Sequence, residues 1–271
     1  MRKTAAIFAF VCFLGTCSAA PSLFAADGTW TKTWNVSGAA ADLRVEADYG
    51  TLHIVHGAAS SIHANVTTTY WSIPSDVEVS DSQDGNHVEI RVRTPENHGG
   101  GWFHWHSPRV EIDLEVPSGS HLDLHTGFGD IRGENLHAEA RVDTGFGGIH
   151  FPEFNGQLRG ETGFGDITAD GRFDSLELKS GFGSVRAEAD SGSQIHNDWR
   201  LESGFGDVAL RVPSDLNADI DAQTGMGHVS TDVPLTVTET SSHSSLRGQL
   251  GKGGSPVELE TGFGSVHLGR S

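Results

Sequence analysis

Residues 121–131 read His-Leu-Asp-Leu-His-Thr-Gly-Phe-Gly-Asp-Ile, and this stretch decides the fold. Leu122, Leu124 and Thr126 share one parity, while His121, Asp123 and His125 occupy the other. That is the two-residue period of a half-buried strand, apolar inward and polar outward. Gly-Phe-Gly-Asp then breaks the strand, and a β-branched residue, Ile131, starts the next one with flipped parity. A turn or bulge would do this, and glycine permits the backbone angles it needs.

The same unit recurs. Thr-Gly-Phe-Gly stands at Thr126–Gly129, Thr144–Gly147, Thr162–Gly165 and Thr261–Gly264, Ser-Gly-Phe-Gly at Ser180–Gly183 and Ser203–Gly206, and Thr-Gly-Met-Gly at Thr224–Gly227. Ile131, Ile149, Ile167, Val185, Val208, Val229 and Val266 follow two residues after each copy. The repeat positions are therefore Gly127, Phe128 and Gly129; Gly145, Phe146 and Gly147; Gly163, Phe164 and Gly165; Gly181, Phe182 and Gly183; Gly204, Phe205 and Gly206; Gly225, Met226 and Gly227; Gly262, Phe263 and Gly264. The steps are 18, 18, 18, 23, 21 and 37 residues. The last is about two periods, and Ser241–Gly248 reads as a degenerate copy filling it. Asp48-Tyr-Gly-Thr-Leu52 reads as another upstream.

A fixed period near 20 residues means stacked units, because a lone unit cannot bury its apolar face. The expected fold is all-β: a β-solenoid-like stack of roughly 18-residue two-strand coils, with coils about 4.8 Å apart. A β-sandwich built from the same strands is the alternative. Outside the first segment no run of ten or more residues carries a helical stripe. Residues 26–120 are less regular but alternate in the same way, as in Val88–Val92 and Val110–Val116. They hold five of the six tryptophans, which suit a plug for the solenoid's end. The expected division is 1–25 signal peptide, 26–120 N-terminal β region or cap, and 121–271 Gly-Phe-Gly repeat solenoid, the last two forming one continuous domain.

The first segment carries Arg2 and Lys3, an apolar run from Thr4 to Leu14, and small residues before Ala26. This is the layout of a secretory signal, and it predicts an extracytoplasmic protein: periplasmic, cell-surface or secreted. No other apolar run is long enough to span a bilayer, so no transmembrane span is expected after signal removal. Both cysteines, Cys12 and Cys17, lie within this segment. Leu14-Gly-Thr-Cys17 loosely resembles a lipobox, although Thr16 departs from it, and makes Cys17 a candidate for a lipid anchor. The full chain of 271 residues has 18 Lys and Arg against 36 Asp and Glu, a net charge of −18. That balance argues against nucleic-acid binding, which needs clustered cations.

Parity puts the Phe column with Leu122 and Leu124, so a stacked core ladder is expected, with the flanking glycines forming bare columns outside. The competing reading is an exposed aromatic strip that binds sugar or another chain. Asp130, Asp166 and Asp207 follow the second glycine of three copies and suit capping of turn amides. The column is broken by Gly148, Ser184, His228 and Ser265, which suits calcium badly. His98-Gly-Gly-Gly-Trp-Phe-His-Trp-His106 supplies binding candidates, Trp102, His104, Trp105 and His106, and no metal site is assigned to it. No nucleophile with a base and orienter stands out, and 18-residue coils leave little room for a cleft. No enzyme activity and no cofactor are expected.

The run Val110–Val116, Pro117-Ser-Gly119, Leu122, Leu124 and Thr126–Ile131 resembles the bacterial putative-adhesin β-strand repeat family, a domain of unknown function. Its members carry Ser/Thr-Gly-x-Gly-Asp-Ile units after a Val-Pro-x-Gly strand end. Arg211-Val-Pro-Ser214 followed by Thr224 resembles a second copy of that arrangement. The resemblance covers roughly residues 30–271. It implies a β-solenoid-like fold, an extracytoplasmic place, and a surface or scaffold role; some relatives are tied to envelope-stress signalling. It supplies no catalytic residues. The family often has a small polar residue where this chain has Phe. The expected function is thus a non-catalytic adhesin-like, scaffold or envelope-interaction module whose partner is an unknown envelope protein or glycan. The alternatives are an envelope ligand- or metal-binding sensor using loop 98–106, and a polysaccharide-active enzyme.

Overall fold

A computed structural model describes residues 28–37, 40–94, 109–237 and 244–271. The leader with Cys12 and Cys17, and Trp102, His104, Trp105 and His106, lie outside the described residues. The described residues form strands and turns and no helix. No helix among them is long and apolar enough to cross a membrane.

The chain winds as a solenoid-like stack of two-strand coils with two faces, which the long strands Ile149–Phe164 and Ile167–Phe182 run through and join into one sheet. On the first face the order in space is Glu78–Asp84, His87–Arg93, Asp42–Tyr49, Ser120–Phe128, His137–Phe146, then the second halves of Ile149–Phe164 and Ile167–Phe182. Trp199–Phe205, Pro256–Phe263, Ala218–Met226, Ser245–Leu250 and Leu235–Val237 complete it. The second face runs Gly28–Asn35, Ser61–Thr69, Arg109–Val116, Thr51–His56 and Ile131–Glu134. It continues through the first halves of the two long strands to Val185–Ala189, Val208–Val212, Val266–Arg270 and Val229–Thr231. Pairing is parallel through the middle of the stack and turns antiparallel at the ends, except that the second face finishes on the parallel Val229–Thr231.

Space and sequence disagree at both ends. The coil 42–56 lies between the coil 87–116 and the coil 120–134, although it precedes both. The coil 256–270 lies between 199–212 and 218–231, although it follows both. The 37-residue step therefore holds no missing repeat. Ser241–His243 lie outside the described residues, and Ser245–Leu250 runs antiparallel to Ala218–Met226 as an edge cover, not as a coil. At this end the outermost strands, Leu235–Val237 and Val229–Thr231, are only three residues long, and edges that short offer little to pair with other chains.

One core runs the length of the stack, from Trp34 to Leu268, and is made largely of the inward Leu, Ile, Val and Ala of both faces. Phe151, Phe154, Phe173 and Trp199 form a chain of ring contacts inside it, 5.7–6.2 Å between centroids. At one end Trp34 is buried, and its indole N–H donates to Asp81 at 3.1 Å, where Lys32 also pairs.

Candidate functional site

The corner Gly-Phe-Gly-Asp is an outward arc. In the coil 120–134, Leu122, Leu124, Thr126 and Ile131 are buried, whereas Phe128 is 50% exposed. The expectation of a core Phe column is therefore corrected: Phe128, Phe146, Phe164, Phe182, Phe205 and Phe263 are each about half exposed, and Met226 is 65% exposed. Parity fails because the strand does not continue straight through the glycines. A Cβ at Gly127 would sit 2.6 Å from the carbonyl oxygen of Asp48, and Gly129 takes a φ of +142°. The backbones of adjacent coils touch here, and the chain bends around the contact. The two glycine columns thus face neighbouring coils and are not the bare outer columns expected from the sequence.

Inside the arc, the Thr or Ser that precedes each Gly-Phe-Gly is buried and donates its hydroxyl to a glycine carbonyl of the adjacent coil. Thr144 donates to Gly129 at 3.0 Å, Thr162 to Gly147 at 2.9 Å and Ser180 to Gly165 at 2.9 Å. Ser203, Thr261 and Thr224 repeat the bond at 2.7–2.8 Å. Outside, Asp130 accepts from the Gly148 amide at 2.9 Å, Asp166 from Ser184 at 2.7 Å, and Asp207 from Ser265 at 2.8 Å. In spatial order this column reads Asp130, Gly148, Asp166, Ser184, Asp207, Ser265, His228. From Asp130 to Ser265 each carboxylate is followed by the Gly or Ser whose amide it caps, so carboxylates are never on adjacent coils.

The phenylalanines form a continuous stack. Phe128, Phe146, Phe164, Phe182, Phe205 and Phe263 follow one another at 4.7–4.9 Å between centroids, with planes within 3° of parallel. At coil spacing, five such steps make a row about 24 Å long. Tyr49 is in register with Phe128 at one end, where it meets Trp71 edge-on at 6.2 Å. Met226 is in register with Phe263 at the other. The faces of the four inner rings lie against their neighbours, so the row presents ring edges to solvent.

The remaining outer surface is a set of charged columns. Arg44, Asp123, Arg141, Arg159, Glu177, Arg200, Glu258, Asp221 and Arg247 follow one another across the first face. Arg159 pairs with Glu177 at 2.6 Å, Arg44 with Asp123 at 3.5 Å and Arg247 with Asp221 at 3.0 Å. Three histidines of this face meet carboxylates of the adjacent coil: His121 meets Glu139 at 3.1 Å, His125 meets Asp143 at 3.8 Å and His87 meets Asp42 at 2.9 Å. No group of three metal-donor side chains occurs among the described residues. The Arg44 guanidinium, hydrogen-bonded to Glu46, holds that carboxyl below its ordinary range. Partial desolvation raises the Asp170 carboxyl, although the residue keeps an exposed surface, and Glu188 adds to the rise.

Among solved structures, the chain is similar to a "putative cell adhesion protein" from Clostridium sporogenes, at 12% identity and a TM-score of 0.42, over 90% of this chain and 100% of the other. A "putative adhesin" from Bacteroides fragilis matches at 9% identity and a TM-score of 0.33, over 89% and 96%. One from Parabacteroides distasonis matches at 9% identity and a TM-score of 0.25, over 90% and 99%. Comparison with curated proteins gives no match. The profile of the Toastrack DUF4097 family matches residues 39–268, from the intercalated first coil to the intercalated last one, and the chain belongs to that family.

Proposed function

We propose that this protein is a non-catalytic, extracytoplasmic interaction module, adhesin-like in role, whose contact surface is the aromatic ladder. The observation that carries the reading is the row of six half-exposed, mutually stacked phenylalanines on an otherwise charged surface. Large apolar side chains are costly on a solvent face, and a contiguous exposed row of them marks a contact site. Ring edges suit an apolar protein surface better than a sugar, which stacks on an open ring face. The N-terminal basic, apolar and small-residue segment supports export.

The test has two parts. Cells producing the wild type and Cys17→Ser are fractionated, and intact cells are treated with external protease. Recovery of the protein outside the cytoplasm is expected; recovery in the cytosol would sink the reading. Isolated envelope is then incubated with the purified wild type and with Phe146→Ser/Phe205→Ser. Retention of the wild type alone is expected.

A further inference from the structure

The ladder has the spacing of one kind of partner. An extended peptide repeats same-face side chains about every 6.8 Å and loses register with a row stepping near 4.8 Å. A second stack of coils keeps register along the whole row. We infer that the partner is a second copy of this chain, the two copies lying antiparallel with their ladders in contact across a two-fold axis. The inference rests on the contact role assigned above to the ladder and names its occupant.

Area and charge both fit. Six rings, each exposing about half of roughly 200 Å², offer about 600 Å² per copy, and two copies reach about 1,200 Å², the lower end of a stable interface. An antiparallel two-fold passes between the coils of Phe164 and Phe182, the middle of the row. It sets Phe164 over the partner's Phe182, Phe128 over the partner's Phe263, and Tyr49 over the partner's Met226, a sulfur–aromatic contact.

The acidic column beside the row then meets its own reversed copy. Asp166 faces the partner's Ser184, Asp130 faces the partner's Ser265, and Asp207 faces the partner's Gly148. Each carboxylate meets an uncharged residue, because the column alternates and the row has an even number of rings. The column on the other flank sets Glu161 against the partner's Lys179 and His125 against the partner's Glu260; Asp143 against the partner's Glu202 is its like-charge apposition. A parallel two-fold would instead bring Asp166 beside the partner's Glu161 and Asp207 beside the partner's Glu202. The antiparallel contact is isologous and closes at two copies.

The experiment is sedimentation equilibrium of the full chain over a range of concentrations. The wild type is expected at twice the mass of one chain. Phe164→Ser/Phe182→Ser is expected at the single mass, with dissociation raised a hundredfold or more and an unchanged far-ultraviolet dichroism spectrum. If that variant does not fold, the outer pair Phe128→Ser/Phe263→Ser makes the same test. Orientation is read by co-expressing Asp130→Cys and Ser265→Cys copies, each in a Cys12→Ser/Cys17→Ser background, and treating them with a short bis-maleimide. Mixed cross-linked dimers are expected, and their absence overturns the antiparallel arrangement. A monomeric wild type overturns self-pairing, as does a dimer indifferent to both Phe pairs. If the wild type is monomeric but envelope retention still depends on the ladder, self-pairing fails and the contact role stands. If neither depends on the ladder, both fail.

Discussion

The Thr162 hydroxyl donates to the carbonyl oxygen of Gly147 at 2.9 Å, fifteen residues back along the chain and one coil away. The same bond, made by Thr or Ser, stitches every Gly-Phe-Gly corner to its neighbour. It explains why a hydroxyl holds a buried position otherwise suited to valine. Thr162→Val keeps the shape and strands the carbonyl, and is expected to cost about 1–3 kcal/mol in urea denaturation. Thr162→Ser is expected to be nearly neutral, because Ser180 and Ser203 occupy equivalent sites.

Glycines of the corners differ from glycines of ordinary turns. A Cβ on Gly165 would sit 2.0 Å from the Gly147 carbonyl oxygen, at a φ of +158°. Gly85 has a φ of +59° and open space around it. Gly165→Ala is expected to cost about 3 kcal/mol or more, and Gly85→Ala about 1 kcal/mol. Thermal melts of the two variants side by side check the contrast; equal losses would refute it.

Asp166 caps the Ser184 amide across coils at 2.7 Å. Asp166→Ala is expected to cost about 1 kcal/mol and to speed hydrogen exchange at Ser184, while Asp166→Asn keeps the acceptor and most of the protection. Exchange measured by nuclear magnetic resonance at that amide is the readout.

Two carboxyls give stability opposite dependences on pH. The Asp170 carboxyl is raised in the folded state by desolvation and by Glu188, so the stability it contributes is present at low pH and lost as pH rises through its folded value. Asp170→Asn is therefore expected to raise the melting temperature at pH 7 and to leave it nearly unchanged at acid pH. Glu46 is lowered by its bond to Arg44, so its contribution is present at neutral pH and lost as pH falls through its lowered value. Arg44 is exposed and Glu46 half-buried at the surface, where solvent screens the pair, and Glu46→Gln is expected to cost less than about 0.5 kcal/mol at pH 7. Melting curves from pH 3 to 8 separate the two.

Much of the fold was legible because its period is local. Leu122, Leu124 and Thr126 announce an inward strand face by parity alone, and Ile131 announces the next strand. The direction of Phe128 was not legible, because it depends on Gly127 meeting the carbonyl of Asp48, a residue far away in the chain. The order of the last coils was equally hidden. Thr224–Gly227 and Thr261–Gly264 look alike, and only the 37-residue step hints that a covering strand intervenes. The alternation of Asp130, Asp166 and Asp207 with small residues becomes regular only once Ser265 is placed before His228 in space. The inner cluster of Phe151, Phe154, Phe173 and Trp199 gave no sequence signal beyond strand parity.

The exchanged order of coils at the two ends has a consequence for how such a chain can change length. In most stacked repeats a unit can be added or shed at a terminus, because the last unit touches only the one before it. Here the first coil, 42–56, is wedged between two later ones, and the last, 256–270, between two earlier ones. Trimming from either terminus would open a gap inside the stack and leave the covering coil beyond it without support. Both ends act as clasps. New coils can enter only between them, through duplication of interior units such as 137–154 and 155–172, whose 18-residue step and aligned corners allow one more copy without disturbing either clasp.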